Sequence, residues 1–460
     1  KQFTQEIKLT GSLYDKLIEY VGGFYYYDEK NRSDFADIFT NVATGATALL
    51  ADRELNNGTE AYAGYLQVDV NPRPWLKLTA GIRYTDEAKD YAFTDNRTIC
   101  QVTPLPATCI DSRNFGAVDI DLNPATPNIA IPLTQSVGVW TPRFAVNVKP
   151  NDDVLLFASA TRGFKSGGQS ARSTSVRFLL PFDPEKVWSY EFGTKMDLFH
   201  RRLRANITAF RAETSDLQGG SAFITTNLAT GAQTLSFVTR NFADFRNQGL
   251  EFEFTAAPVR GLTLNLSGGY QDAKYILDPT RVDSFGTLSA TAQQRECLAA
   301  LAGQASPRLD TRTAAARAQS SCGSGVITPT GGIAKPPRTP KWTLASGASY
   351  AAELGTLVLT PSVNVLYTTK QEVGTSNTNF FRNAAGVINV TGDGEFVTGS
   401  FSRAHTVVNA GISLSPEEGR WTATLECSNC LNTTYAQSTL SNFSYLNQPA
   451  TWLAKLRYKW

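Results

Sequence analysis

The feature that most constrains this chain is a strict alternation of apolar and polar residues, sustained over short runs that come in pairs. Period two makes a strand with two chemically different faces, because successive side chains point to opposite sides of a sheet. In Leu66-Gln67-Val68-Asp69-Val70 one face carries Leu and Val and the other Gln and Asp. After the turn NPRP at 71–74, Leu76 to Tyr84 repeats the pattern with Lys77, Thr79 and Arg83 on the polar side. The same hairpin returns as Phe144 to Val148 with Val154 to Phe164, as Trp188 to Phe199 with Leu203 to Phe210, and as Leu250 to Phe254 with Leu262 to Tyr270. Two more centre on the turns AAELG, after Trp342 to Tyr350, and SPEEG, after Thr406 to Leu414. With the opening pair, Phe3 to Thr10 and Leu17 to Tyr27, these make seven hairpins, and Thr451 to Trp460 closes the chain as a single strand.

Between hairpins the connections are long and irregular, as at 29–58, 96–137, 277–339 and 371–402. Short turns on one side and long loops on the other is the asymmetry of a transmembrane β-barrel of the outer-membrane type, whose short turns face the periplasm. A helical membrane protein is excluded: hydrophobic residues make up 42% of the chain, yet no apolar run approaches the ~20 residues that a spanning helix needs. Lys and Arg (43) nearly cancel Asp and Glu (41), so the global basic field that drives nucleic-acid binding is missing. The expected fold is an all-β, antiparallel, up-and-down transmembrane barrel occupying residues 1–460.

A charge on the lipid face near the bilayer midplane costs roughly 2–4 kcal/mol, so the apolar rows are expected to meet lipid and the polar rows the lumen. In the last strand Trp452, Ala454, Leu456, Tyr458 and Trp460 form the lipid row, while Lys455, Arg457 and Lys459 face inward. The same rule turns Gln67, Asp69, Lys77, Arg83, Arg143, Asn147, Ser189, Glu191, Lys195, Asp197, Glu251, Glu253, Asn265 and Gln271 inward, and places the single Met196 on the lipid row as packing. Seven hairpins and one strand make fifteen, whereas bacterial single-chain barrels have even counts. The expectation is that at least one further strand precedes Lys1 and that these residues are the C-terminal portion of a larger barrel.

Several stretches resemble TonB-dependent receptors: TPRFAVNVKPNDDVLLFASATRGFKSGG at 141–168, DPEKVWSYEFGTKMDLFHRRLRANITAF at 183–210, and the end, from CSNCLNTTY at 427–435 through TWLAKLRYKW. FTQEIKLTG at 3–11 and AGYLQVDVNPRPWLKLTAGIRYTDE at 63–87 extend the similarity to nearly every hairpin. The resemblance implies a 22-stranded barrel, of which fifteen strands are visible here, and an N-terminal plug that these residues do not contain. It also implies energy-coupled uptake of a scarce nutrient such as a ferric siderophore, localisation as a multi-pass protein of the bacterial outer membrane, and four kinds of partner. These are outer-membrane lipid, a small-molecule substrate, the barrel-assembly machinery, and TonB with its inner-membrane energising complex, engaged through the N-terminal segment. Trp460, with Tyr458 beside it, is similar to the terminal aromatic signal read by that assembly machinery; as a bare residue it equally suits an interfacial belt.

Six cysteines fall in three local pairs, Cys100 with Cys109, Cys297 with Cys322 and Cys427 with Cys430, in or beside the long connections. In an oxidising compartment an even set at short separations reads as disulfides, and closing a ~15-residue loop contributes on the order of 3 kcal/mol. A redox or metal CxxC at 427–430 would want a βαβ context or a second ligand pair, and neither occurs. Only two histidines exist, His200 in a turn and His405 at a strand start, so no metal site, no cofactor and no catalytic constellation is expected.

Candidate substrate contacts are Lys77, Arg83 and Lys195 in the lumen, with Arg162 and Lys165 in TRGFKSGG, where glycines leave room for close approach of an anionic ligand. For the lumenal charges the structural reading, pairing with one another, with water or with a plug, outweighs the functional one. The rival function is a passive porin of about 16 strands. Trp460→Ala is expected to lower the amount of folded protein in the outer membrane, read by immunoblot of membrane fractions; unchanged levels would leave Trp460 as a belt residue only.

Overall fold

The computed structural model describes the chain apart from residues 41–44, 107–108, 116, 119–127, 171–172, 174–178, 227–232, 279–289, 308–309, 324, 375–400 and 441–442. One antiparallel sheet dominates. It opens with β1 (Gln2–Leu13), β2 (Ile18–Thr40), β3 (Thr47–Arg73) and β4 (Leu76–Asp95). Strand β5 runs in two pieces, Thr134–Trp140 and Arg143–Asn151, both paired with β4. Next come β6 (Val154–Lys165), β7 (Glu185–Leu198), β8 (Leu203–Thr226), β9 (Gln233–Ala256) and β10 (Leu262–Ile276). The last five are β11 (Trp342–Tyr350, continued by Ala352–Leu354), β12 (Leu357–Thr368), β13 (His405–Pro416), β14 (Trp421–Ser428) and β15 (Thr451–Tyr458). The seventeen segments of this sheet thus reduce to fifteen strands, each hydrogen-bonded to its neighbours in sequence. Among the described residues β1 pairs only with β2 and β15 only with β14.

The pairing register tests the face assignment, because directly opposed residues of an antiparallel pair share a face. One line of cross-strand partners runs Lys77, Asn147, Phe157, Gly193, Thr208, Glu251, Gly269, Thr343 from β4 to β11. One residue along, the line reads Leu78, Val146, Ala158, Phe192, Ala209, Leu250, Tyr270, Trp342. The first line is polar apart from one Phe and two Gly, the second wholly apolar. All fourteen residues assigned inward from the sequence fall on the polar face.

The apolar face is bare. Phe192 is 64% exposed and Leu456 78%. The accessible surface totals 25743 Å², against roughly 17,000 Å² for a compact soluble monomer of the same mass. An apolar surface of that extent is tolerated where hydrocarbon replaces water. Aromatic side chains mark its two borders. At the short-turn border Tyr14, Trp75 and Phe199 are exposed; at the other, Tyr84 meets Trp140 at 4.7 Å and Tyr270 meets Trp342 at 5.0 Å between ring centroids. The nine residue steps from Tyr190 on β7 to Phe199 in the turn that follows it, at ~3.3 Å each and a tilt of about 40°, span roughly 23 Å, matching a hydrocarbon band about 25 Å tall.

Three connections differ from the sequence expectation. Residues 29–58 are largely strand, since β2 and β3 stay paired out to Thr40 and Thr47, and β8 and β9 likewise stay paired out to Thr226 and Gln233. Beyond the membrane both faces are wet, so the alternation that announces a strand disappears while the backbone ladder continues. Within 277–339 lie two helices, α1 (Ala290–Leu301) and α2 (Ala314–Ser321), the latter capped by the Thr313 side chain on the Ala316 amide. Their alanine content favours helix. Most of the 371–402 connection lies outside the described residues, although Gln371–Glu372 pairs with Phe401–Ser402.

The faces carry a direct test. Phe252 faces outward at mid-height, opposite Ile207 and Gly268, whereas Glu251 beside it faces inward opposite Thr208. Phe252→Arg is expected to destabilise the folded protein in lipid by roughly 2–4 kcal/mol and Glu251→Arg by less than about 1 kcal/mol, measured by denaturant titration in vesicles. Equal effects would mean that the two faces do not differ, and a larger effect at Glu251 that they are reversed.

Candidate functional site: the interior wall and its mouth

Elementary pairing chemistry organises the inner face. Lys77 lies 3.0 Å from Asp69 and 3.9 Å from Glu19, and Asp69 also accepts the Thr79 hydroxyl at 2.6 Å. This cluster borders a recess of about 720 Å³ near the short turns, shared with Asn71, Asn147 and Lys149. A neighbouring recess of about 330 Å³ holds Lys195, Asp197 and Arg204. There Arg204 grips Asp197 with two hydrogen bonds of 2.8 and 3.0 Å, while Lys195 has no carboxylate within ion-pair distance among the described residues.

Arg83 sits higher on the wall. Its guanidinium lies 5.4 Å from the Tyr25 ring centroid and 5.9 Å from that of Tyr65, donates to the Thr85 hydroxyl at 3.1 Å, and Tyr65 in turn donates to Glu6 at 2.7 Å. Tyr25, Tyr65 and Glu6 were not singled out from the sequence, although the period-two rule places all three inward.

Lys165 ends β6 at the mouth, exposed and opposite Glu185. Arg162 is placed differently. It pairs with Trp188, and its row, Ala158, Ala160, Arg162, is the outward one. Its side chain therefore does not face the interior, and the motif-based grouping of Arg162 with Lys165 separates into opposite faces. The five candidate contacts do not converge: Lys77 and Lys195 lie low, Arg83 higher up, Lys165 at the rim and Arg162 outside. Trp460 is fully exposed beyond β15, edge-on to Tyr458 at 5.4 Å.

The mouth is built like a small soluble protein. Phe93, Ile110, Ile131 and Leu179 form one buried cluster, with Leu55, Tyr91, Phe115 and Leu133 packed around it. A second joins Ala243, Ala290, Val326 and Ile327 to the Cys297–Cys322 disulfide, which staples α1 to α2. Disulfides also join Cys100 to Cys109 and Cys427 to Cys430. Asp95 lies close enough to Cys100 and Cys109 to suggest a metal cluster, but both sulfurs are consumed by their bond to each other. At the second cluster Glu296 and Arg317 form a buried ion pair at 2.6 Å.

Asp95 is the polar hub of the first cluster. Fully buried, it accepts two hydrogen bonds from the Arg97 guanidinium, at 2.9 and 2.7 Å, one from the Arg97 amide at 3.3 Å and one from the Ile110 amide at 3.0 Å. Burial pushes its carboxyl up, but the Arg97 and Ile110 hydrogen bonds outweigh that and hold it below the usual carboxylate value of 3.8. No sequence pattern flagged Asp95, Glu296 or Arg317, because a buried polar hub leaves no periodic trace.

A carboxyl whose folded-state value is depressed stabilises above its unfolded value and stops doing so as acid titrates it. Protease protection of the 96–111 segment is therefore expected to fall as pH drops below about 4. Asp95→Asn, which leaves Arg97 and an amide poorly paired at roughly 1–3 kcal/mol, is expected to lose protection already at pH 7. Protection that is flat with pH and unaffected by Asp95→Asn would refute this role.

Comparison with known proteins adds three findings. Residues 1–430 match the family described as TonB dependent receptor-like, beta-barrel. The metal-pseudopaline receptor CntO of Pseudomonas aeruginosa is 28% identical over 138 residues, which is 30% of this chain and 17% of that protein. Among solved structures, the ferric yersiniabactin uptake receptor FyuA from Yersinia pestis superposes with a TM-score of 0.64 at 12% identity, covering 99% of this chain and 54% of that one. The ferric-catecholate import receptor Fiu from E. coli K12 gives 0.59 at 14%, and the copper transporter OprC 0.57 at 11%, covering 54% and 56% of those chains. At these identities the superpositions establish the fold. The chain spans about half the length of the solved structures it matches. The family and these structures are transport receptors, not enzymes.

Proposed function

The chain belongs to the TonB-dependent receptor family, a family of outer-membrane β-barrels, and from that premise we propose that it takes up a metal chelate, with a ferric siderophore as the leading class, by energy coupling through TonB. The observation that carries this reading is the predominantly polar inner face, with Lys77, Arg83, Lys195 and Arg204 set among Asp69, Asp197, Glu251 and Glu253. Charges of both signs give a hydrated wall that a bulky polar solute can slide along. The chelate class is supported by the relatives' named ligands: metal-pseudopaline, ferric yersiniabactin and a ferric catecholate.

In this reading the wall is completed by strands between β15 and β1. Among the described residues each of these has one neighbour only, and open edges are aggregation templates that barrels abolish by closure. A plug would fill the enclosed lumen and carry the contact with TonB. The inward charges then either meet the plug or the passing chelate.

The test is uptake of ⁵⁵Fe presented as a ferric catecholate to cells expressing the full-length receptor, with and without a protonophore. Accumulation that the protonophore abolishes, together with a silent planar bilayer, is the expected result. Protonophore-insensitive uptake with steady bilayer conductance would make the protein a porin instead.

A further inference from the structure

The outward face should be free of charge wherever it touches hydrocarbon, and on β7 it is, from Met196 through Thr194 and Phe192 to Tyr190. One pleat further toward the mouth it is not. Successive cross-strand partners there read Arg162, Trp188, Glu213, Arg246, Lys274 across β6 to β10. Two more cations flank this row on the same face: Lys186, one position outward on β7, and Arg211, one position inward on β8. Five cations thus gather on five adjacent strands, a width of about 19 Å at ~4.8 Å per strand.

Carboxylates on this face answer two of them. Arg211 pairs with Glu213, and Lys274 lies 3.8 Å from Asp272. The next acid outward, Asp244, accepts the Asp216 amide at 3.1 Å. Arg162, Lys186 and Arg246 have no carboxylate within ion-pair distance among the described residues, and the buried Nε atoms of Arg162 and Arg246 have no hydrogen-bond partner. Wetness alone does not explain this. At the matching height on β2 to β4 the outward residues are Asp28, Glu60, Asp86 and Asp90, with Tyr26 and Tyr62 donating to Glu60 at 3.1 and 2.7 Å. One flank of the same wall is acidic and the other basic.

We propose that the β6–β10 flank is a binding surface for the phosphorylated headgroup of an outer-leaflet glycolipid, with Arg162, Lys186 and Arg246 as the phosphate ligands and the Trp188 and Tyr190 rings, stacked at 5.9 Å, seating its sugar–acyl boundary. The height fits. On β7 the row lies about 5 Å beyond Tyr190 after tilt, and because cross-strand lines climb with that tilt it reaches about 10 Å beyond Tyr270 at Lys274 on β10, the zone that headgroup phosphates occupy. Charge and shape fit as well: guanidinium forks match phosphate oxygens, and a row five strands wide can meet more than one phosphate of a single headgroup. This surface is independent of the transported substrate, since it lies on the opposite face of the sheet.

The test uses the full-length receptor in detergent and diphosphorylated lipid A, with binding followed by native mass spectrometry and microscale thermophoresis. Each cation near an anionic lipid surface contributes roughly fivefold in affinity. Arg162→Gln, Lys186→Gln and Arg246→Gln together are therefore expected to weaken binding at least tenfold. The same number of neutralisations at the short-turn end, Arg201→Gln, Arg202→Gln and Arg260→Gln, is expected to leave it unchanged. If the triple variant fails to fold, as read from heat-dependent gel mobility, Lys186→Glu alone is expected to weaken binding at least fivefold. Unchanged affinity in the patch variants, equal loss in the short-turn variants, or equal binding of fully dephosphorylated lipid A would each overturn the proposal.

Discussion

Everything in this wall depends on one constraint: in hydrocarbon there is no water to take up a backbone N–H or C=O, so each must find a partner within the protein. Antiparallel pairing meets that demand strand by strand from β1 to β15, and it fixes the side chains into two rows per strand. The chemistry of the rows then follows from what each meets. Leu78, Val146, Phe192 and Leu250 form one continuous stripe, and Lys77, Asn147, Gly193 and Glu251 the other. The wall is a single layer of sheet with no core of its own, so its pairing and its solvent must supply what burial supplies elsewhere.

That dependence explains which parts were legible in the sequence. Where one face touches lipid and the other water, the environment alternates with every residue, and the sequence records it; Leu66 to Val70 and Leu203 to Phe210 are plain for that reason. Where the strands rise out of the bilayer the environment is uniform. Glu29 to Thr40 and Ser221 to Thr226 therefore remain strand without an alternating signature. Arg162 marks the junction of the two regimes. The motif TRGFKSGG holds it close to Lys165 in sequence, and the period-two rule applied to β6 sets the two on opposite faces.

The mouth obeys different physics. Phe93, Ile110 and Leu179 are buried as in any soluble domain, Asp95 and Glu296 are buried because Arg97 and Arg317 accompany them, and disulfides hold the short connections. Such packing is decided by which loops meet, as when Arg53 on β3 reaches the Ser173 carbonyl. Contacts of that separation, 120 residues apart, leave no local pattern. The cysteines were the exception, because their separations of 9, 25 and 3 residues are short enough to pair by inspection.

The division of labour bears on the interior charges. Lys77 with Asp69 and Arg204 with Asp197 are partly exposed pairs, of a kind worth no more than about 1 kcal/mol. A bond that weak orients a side chain without locking it, so a polar solute or a plug surface can replace either partner at little expense. In the mouth, by contrast, Asp95 and Glu296 are buried and hydrogen-bonded, so their positions are fixed by the surrounding packing. The wall thus carries weak, partly exposed pairs, whereas the mouth carries buried ones that hold its connections in place.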